Sequence, residues 1–124
     1  PVSSVIIGAV AGVVCYLAVL AKSSFGYDDS LDVVGIHGVG GTWGAIATGL
    51  FASAAIGGTD GLFFGNPAQL IPQIVAVVAT IVYSFVVTLI ILYVVKAIMG
   101  LRVTEEEEDA GVDTSIHGEA GYNL

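Results

Sequence analysis

One side chain in this sequence combines titratable chemistry with an apolar setting. His37 lies in the run DSLDVVGIHGVGGTWG, residues 29–44, and no lysine or arginine falls between Lys22 and Lys96. A titratable ring in a stretch that reads as membrane-spanning is costly to place there and points to function. A neutral imidazole offers one donor and one acceptor and titrates within the cellular pH range. It can take a proton from a small hydrogen-bonding solute, or hand one over. In helical spacing His37, Gly41, Gly44 and Thr48 fall at i, i+4, i+7 and i+11, on one face. That face has little side-chain bulk and suits a narrow path for something small. The alternative is a histidine bonded to a neighbouring backbone carbonyl, and the helix pattern leaves both readings open.

No other constellation carries chemistry. The second histidine, His117, lies in the C-terminal tail, so no metal site is expected. There is no nucleophile–base pair and no glycine-rich phosphate loop, which argues against an enzyme and against a bound cofactor. Cys15 is the single cysteine and sits in an apolar run, where it reads as a packing residue. Trp43 reads as packing or as an interface anchor, and Thr59-Asp60-Gly61 as a turn.

These residues need elements to hold them, and composition says which. Hydrophobic residues make up 56% of the 124 and charged residues 11%, against about 25% charged in soluble domains. Of the 11 acidic residues seven follow Gly100, so the net charge of -8 belongs to a tail on an apolar body. Clustered Lys and Arg are missing, which excludes a nucleic-acid-binding face. The expected fold is all-α: a polytopic membrane helical bundle over residues 1–100 and an acidic tail over 101–124. A helix needs about 20 apolar residues to cross hydrocarbon. Spans are expected at about 2–21, 29–51 and 68–99. Asp28 or Asp29 caps the second, and Asp32 sits in its first turn, either as a helix-start charge or as a polar contact at a pore mouth. Gly100 ends the third. Three spans put Lys22, Lys96 and Arg102, all the basic residues, on one side, which the positive-inside bias makes cytoplasmic. Pro1 then starts outside. Gly8 with Gly12 and Gly40 with Gly44 have the spacing that lets helices approach closely in lipid. Thr104-Glu105-Glu106-Glu107 has the capping-box form, and beyond Gly111 the tail is either solvated and disordered or a docking segment.

The run from Asp29 to Gly41 resembles the second pore-histidine signature of ammonium transporters of the Amt/Mep/Rh superfamily. The tail, with Leu101-Arg102-Val103, Gly111-Val112-Asp113, His117-Gly118-Glu119 and Tyr122-Asn123, resembles the Amt C-terminal tail. Gly8-Ala9-Val10-Ala11-Gly12 fits the preceding helix. The resemblance covers essentially the whole chain and favours the Amt branch. It implies the last three spans of an eleven-span subunit in a homotrimer, a multi-pass cell-membrane protein with a cytoplasmic C-terminus. His37 would then be the second of two adjoining pore histidines, with Gly41, Gly44 and Thr48 along the pathway. Asp29 and Asp32 would stand at the cytoplasmic mouth, where family members meet PII-type regulators. Thr104, Thr114, Ser115, His117 and Tyr122 would belong to the regulatory tail. Ser115 roughly matches the position phosphorylated in plant members, although the surrounding residues depart from the plant motif. The first histidine and the outer ammonium site would come from a complementary N-terminal segment. The implied substrate is ammonium, ammonia or methylammonium.

Two other readings remain. In one, the spans anchor an ammonium-sensing or regulatory module that acts through its tail and a PII-type protein. In the other, the chain forms a homo-oligomeric three-span channel.

Overall fold

The computed structural model describes residues 2–121, and every element in it is helical. The chain divides into two units, one reaching to Val82 and the other starting at Tyr83.

The first unit opens with α1, Val2–Phe25. Its first 20 residues carry no charge, and it runs four residues past the expected end at 21. Lys22, Ser23 and Ser24 are tolerated in a last turn, with the Ser23 hydroxyl bonded to the Leu20 carbonyl at 3.0 Å. The stop comes at Gly26, whose φ of +64° suits glycine and whose N–H donates to the Lys22 carbonyl at 3.1 Å.

The second span departs from expectation. The turn that precedes it extends to Asp32, and helical backbone begins at residue 33 rather than 29. Asp32 is not in the first turn: its φ of +56° is left-handed, and no α-helix continues through that conformation. A π-helical segment, Val34–Val39, comes first, and α2, Gly40–Phe51, continues from it.

Small residues let α1 and this helix approach. A Cβ on Gly35 would stand 3.1 Å from a Val19 methyl, and one on Gly40 would stand 2.8 Å from Cys15 Sγ. Open space lies beside Gly8, Gly12 and Gly44. The working pair is therefore Gly35 and Gly40 rather than either expected glycine pair. The reason is phase: α1 turns Cys15 and Val19, not Gly8 and Gly12, toward its neighbour.

A short helix α3, Ala54–Gly57, and single 3-10 turns at Leu62–Phe64 and Pro67–Gln69 lead into α4, Leu70–Met99. Pro72 sits in the first turn of α4, where its missing N–H leaves no bond unmade. The Phe51 and Phe63 rings meet edge to face at 5.0 Å. Among the described residues, two helices are long and apolar enough to cross a membrane, Val2–Phe25 and the helical stretch Pro67–Met99.

The second unit holds the end of α4 and the tail. Gly100, at φ +81°, ends the helix. Then come α5, Glu105–Ala110, and α6, Val112–Ser115.

Candidate functional site

The residues expected to do chemistry depend on how the second helix starts, and two aspartates start it. Asp29 accepts from the Val33 N–H through one carboxylate oxygen and from the Val34 N–H through the other, both at 2.9 Å. A helix start leaves such donors without internal partners, and a carboxylate there also meets the positive end of the dipole. Asp29 therefore caps the segment from four residues upstream. Alanine at Asp29 is expected to cost about 0.5–2 kcal/mol, the range for a lost helix cap. A shift in the unfolding midpoint of the detergent-solubilised protein measures it.

Asp32 takes a different part. Its carboxylate pairs with Lys22 Nζ, which also donates to the Asp29 carbonyl at 2.7 Å. The Asp32 carbonyl accepts from the Ile36 N–H at 2.9 Å. The part played by the lysine was not legible from local spacing, because its partner lies ten residues on, beyond a chain reversal.

His37 lies inside the π-helical segment, and its side chain is exposed. The imidazole makes no hydrogen bond among the described residues, so the bonded-histidine alternative finds no partner among them. Gly41 and Thr48 are exposed too, Gly44 is half-buried, and a Cβ on either glycine would meet nothing within 4 Å. The spacing of His37 from Gly41 crosses from the π segment into α2. The uniform 3.6-residue period assumed from sequence therefore breaks there, because a π turn holds an extra residue. Gly41, Gly44 and Thr48 keep the expected α-helical relation to one another. The Thr48 hydroxyl donates to the Gly44 carbonyl at 2.9 Å.

The adjoining face of this helix, offset by one residue, is held against α1 at three levels. Trp43 Nε1 donates to the Ile7 carbonyl at 3.0 Å. Cys15 Sγ lies 3.6 Å from the Ile36 carbonyl, seated against Gly40. Lys22 closes the third level. Trp43 is thus a packing residue with a polar handle. Asp60 also does more than turn the chain, since its carboxylate accepts from the Ala54 N–H at 2.6 Å and starts α3.

The tail is ordered by its own carboxylates. Thr104 and Glu107 form the reciprocal capping box. Arg102 grips Glu108 with two bonds, 2.6 and 2.8 Å. Asp113 accepts from the Gly121 N–H at 3.1 Å and from the Thr114 N–H at 2.9 Å. The Thr114 hydroxyl donates to the Ala110 carbonyl at 2.7 Å and the Ser115 hydroxyl to the Gly111 carbonyl at 2.8 Å. Residues 105–110 form the expected capped helix, and beyond Gly111, where a disordered tail was one alternative, residues 112–115 form a further helical turn. His117 lies beyond α6, close enough for its charge to favour ionised Asp113. Tyr122 lies outside the described residues.

Hydrogen bonds hold these carboxyls below their ordinary range: the Thr104 amide for Glu107, Arg102 for Glu108 and the Gly121 amide for Asp113. A carboxylate whose pKa drops on folding stabilises the fold above its unfolded value and loses that contribution as pH falls through the folded one. The tail should therefore stay folded from neutrality down to about pH 4, the ordinary carboxylate range, and open below it. Amide NMR shifts of Glu107 and Gly121 followed through acid titration report the transition.

A family model described as Ammonium Transporter Family matches residues 1–122. The chain is 56% identical over 124 residues to an ammonium transporter of Aquifex aeolicus, covering 99% of this chain and 29% of that protein. It is 50% identical over 125 residues to an ammonium transporter of Bacillus subtilis, covering 98% and 31%. To the ammonium transporter Amt1 of Archaeoglobus fulgidus it is 47% identical over 119 residues, covering 96% and 30%. The chain thus spans less than a third of the length of these curated relatives.

Proposed function

The chain belongs to the ammonium transporter family, and from that premise we propose that it forms the last three spans and the tail of a transporter for ammonium or ammonia. Its family is one of multi-pass membrane transporters rather than enzymes. The observation that carries the pore assignment is the strip of His37, Gly41, Gly44 and Thr48, largely uncovered by this chain. The opposite wall comes from the N-terminal segment that the longer relatives have room for. Bare ammonium is costly in a low-dielectric pore, so it gives up its proton before entry and crosses as ammonia. His37 supplies a donor and an acceptor along that path.

The subunit assembles as a trimer, each copy with its own pore. The tail faces the cytoplasm, supported by the placement of Lys22, Lys96 and Arg102 on one side of three spans. Asp29 and Asp32 stand at the cytoplasmic mouth, and the tail with Thr104, Thr114, Ser115 and His117 receives a PII-type regulator.

Methylammonium-evoked current in proteoliposomes tests the reading. The expected result is current from the transporter that contains this chain and none from residues 1–124 alone. Current from this chain by itself would favour the homo-oligomeric channel. Silence from the correctly assembled transporter, with a PII protein still bound, would favour the sensor.

A further inference from the structure

We propose that Lys22 is a positioning residue for the helix that carries His37, an inference that rests on His37 lining the pathway. The ammonium group at the end of α1 closes the turn before that helix from two directions. It donates to the Asp29 carbonyl at 2.7 Å and pairs with the Asp32 carboxylate. The same Asp29 carbonyl accepts from the Asp32 N–H at 3.1 Å, so one oxygen collects both the turn and the lysine. Asp29 in turn supplies both caps of the helix start.

This turn is strained. Asp32 holds φ +56° without being glycine, and such a conformation persists only where its surroundings over-determine it. Lys22 is the group that does so. The Lys22 and Asp32 side chains are only 25% and 31% exposed, and removing one charge leaves the other poorly solvated. The helix starts at the next residue, in a π-helical turn with His37 within it. A π turn is uncommon and depends on its flanks. Beyond His37 the helix is fixed by Trp43 and by Gly40 against Cys15; before it, Gly35 sits against Val19 and Cys15 reaches the Ile36 carbonyl, and the helix start itself is held by Lys22 through the two aspartates. Loss of the lysine frees that first turn, on the side that leads to His37, and leaves the helical contacts with α1 in place. Lys22 touches no solute in this scheme and acts through backbone it restrains.

Two substitutions separate this from an ordinary surface ion pair. Lys22→Met keeps the apolar stem and helix preference but removes every donor. Lys22→Arg keeps donors enough for both acceptors. In the intact transporter, Lys22→Met is expected to remove the hydrogen-exchange protection of the Val33 and Val34 amides. It is also expected to lower the maximal rate of methylammonium transport roughly tenfold, the scale of a lost charge-assisted hydrogen bond, with KM unchanged. Lys22→Arg retains protection and rate. Size-exclusion elution of each variant shows that it is folded and assembled. Lys22→Met with protection and rate intact overturns the proposal, as does a fall in rate with protection intact. So does arginine performing no better than methionine. If the wild-type transporter moves no methylammonium and Lys22→Met still strips protection, the positioning role stands and the pore reading falls.

Discussion

Alanine at His37 lowers methylammonium-evoked current about a hundredfold or more in the transporter containing this chain, the lower end of the range for removing a group that handles protons along a reaction path. The same substitution leaves stability within about 0.5 kcal/mol, because surface changes away from structural features rarely exceed that. This separation follows from the geometry. The imidazole is exposed and makes no hydrogen bond among the described residues, so none of them relies on it to fold. A buried histidine bonded to a carbonyl would give the reverse: a destabilised helix and a rate that follows stability. The readouts are current per assembled transporter and the unfolding midpoint of the same preparation. Unchanged current with unchanged pH dependence would remove His37 from the pathway. A loss of current matched by a loss of assembly would return it to a structural role.

The substitution is informative because the helix is anchored elsewhere. Trp43, Gly40 and Gly35 face α1, while His37, Gly41 and Thr48 do not. One face of the helix is committed to packing, and the adjoining face with His37, Gly41 and Thr48 is left largely uncovered by this chain. That division was partly legible in the sequence. The glycines at positions 41 and 44, in step with Thr48, already suggested a smooth face. An uncharged run closed by Gly100 also marked the last long helix, because glycine's freedom at positive φ leaves a plain signature at a helix end, whereas the first run was read only to residue 21 and the stop at Gly26 was missed. The capping box at Thr104 was readable for the same reason, since its bonds join residues three apart.

The unread features depend on distance or on backbone shape. Nothing in the letters near His37 announces a π turn, because π hydrogen bonding reflects how a helix is held at its ends rather than a preference of its residues. Asp32 looked like a first-turn acid. Its left-handed conformation appears only once Lys22, on another helix, is brought to it. The expected glycine pairs at Gly8 and Gly40 were chosen by spacing alone. Which glycine meets a neighbour is decided by helix rotation, and that placed Gly40 against Cys15 and left Gly8 facing open space.

Gly61 shows how much the connection after α2 depends on one missing side chain, and alanine there is expected to destabilise the protein by about 1–3 kcal/mol, the usual range for overpacking. Its φ of -97° and ψ of -171° are open to any residue, so no conformational penalty enters. The cost is steric. A Cβ would lie 2.5 Å from the Gly49 carbonyl oxygen, 2.9 Å from that of Leu50 and 3.0 Å from the Ala52 nitrogen. All three are backbone atoms at the end of α2, so no side chain can swing aside to relieve the clash. Gly61 also donates to the Ala52 carbonyl at 2.8 Å and accepts from the Phe64 and Asn66 amides at 3.1 and 3.0 Å. A displaced Gly61 would loosen both the last turn of α2 and the turn that leads toward α4. Gly57 provides the control: it lies in α3, and a Cβ there meets nothing within 4 Å. Gly57→Ala should be neutral or slightly stabilising, since alanine is the better helix former. Unfolding midpoints of the two variants in detergent decide the matter. A lowered midpoint for Gly61→Ala alone establishes the close seat of Gly61 on α2. Equal midpoints would mean that the connection packs more loosely than these distances require.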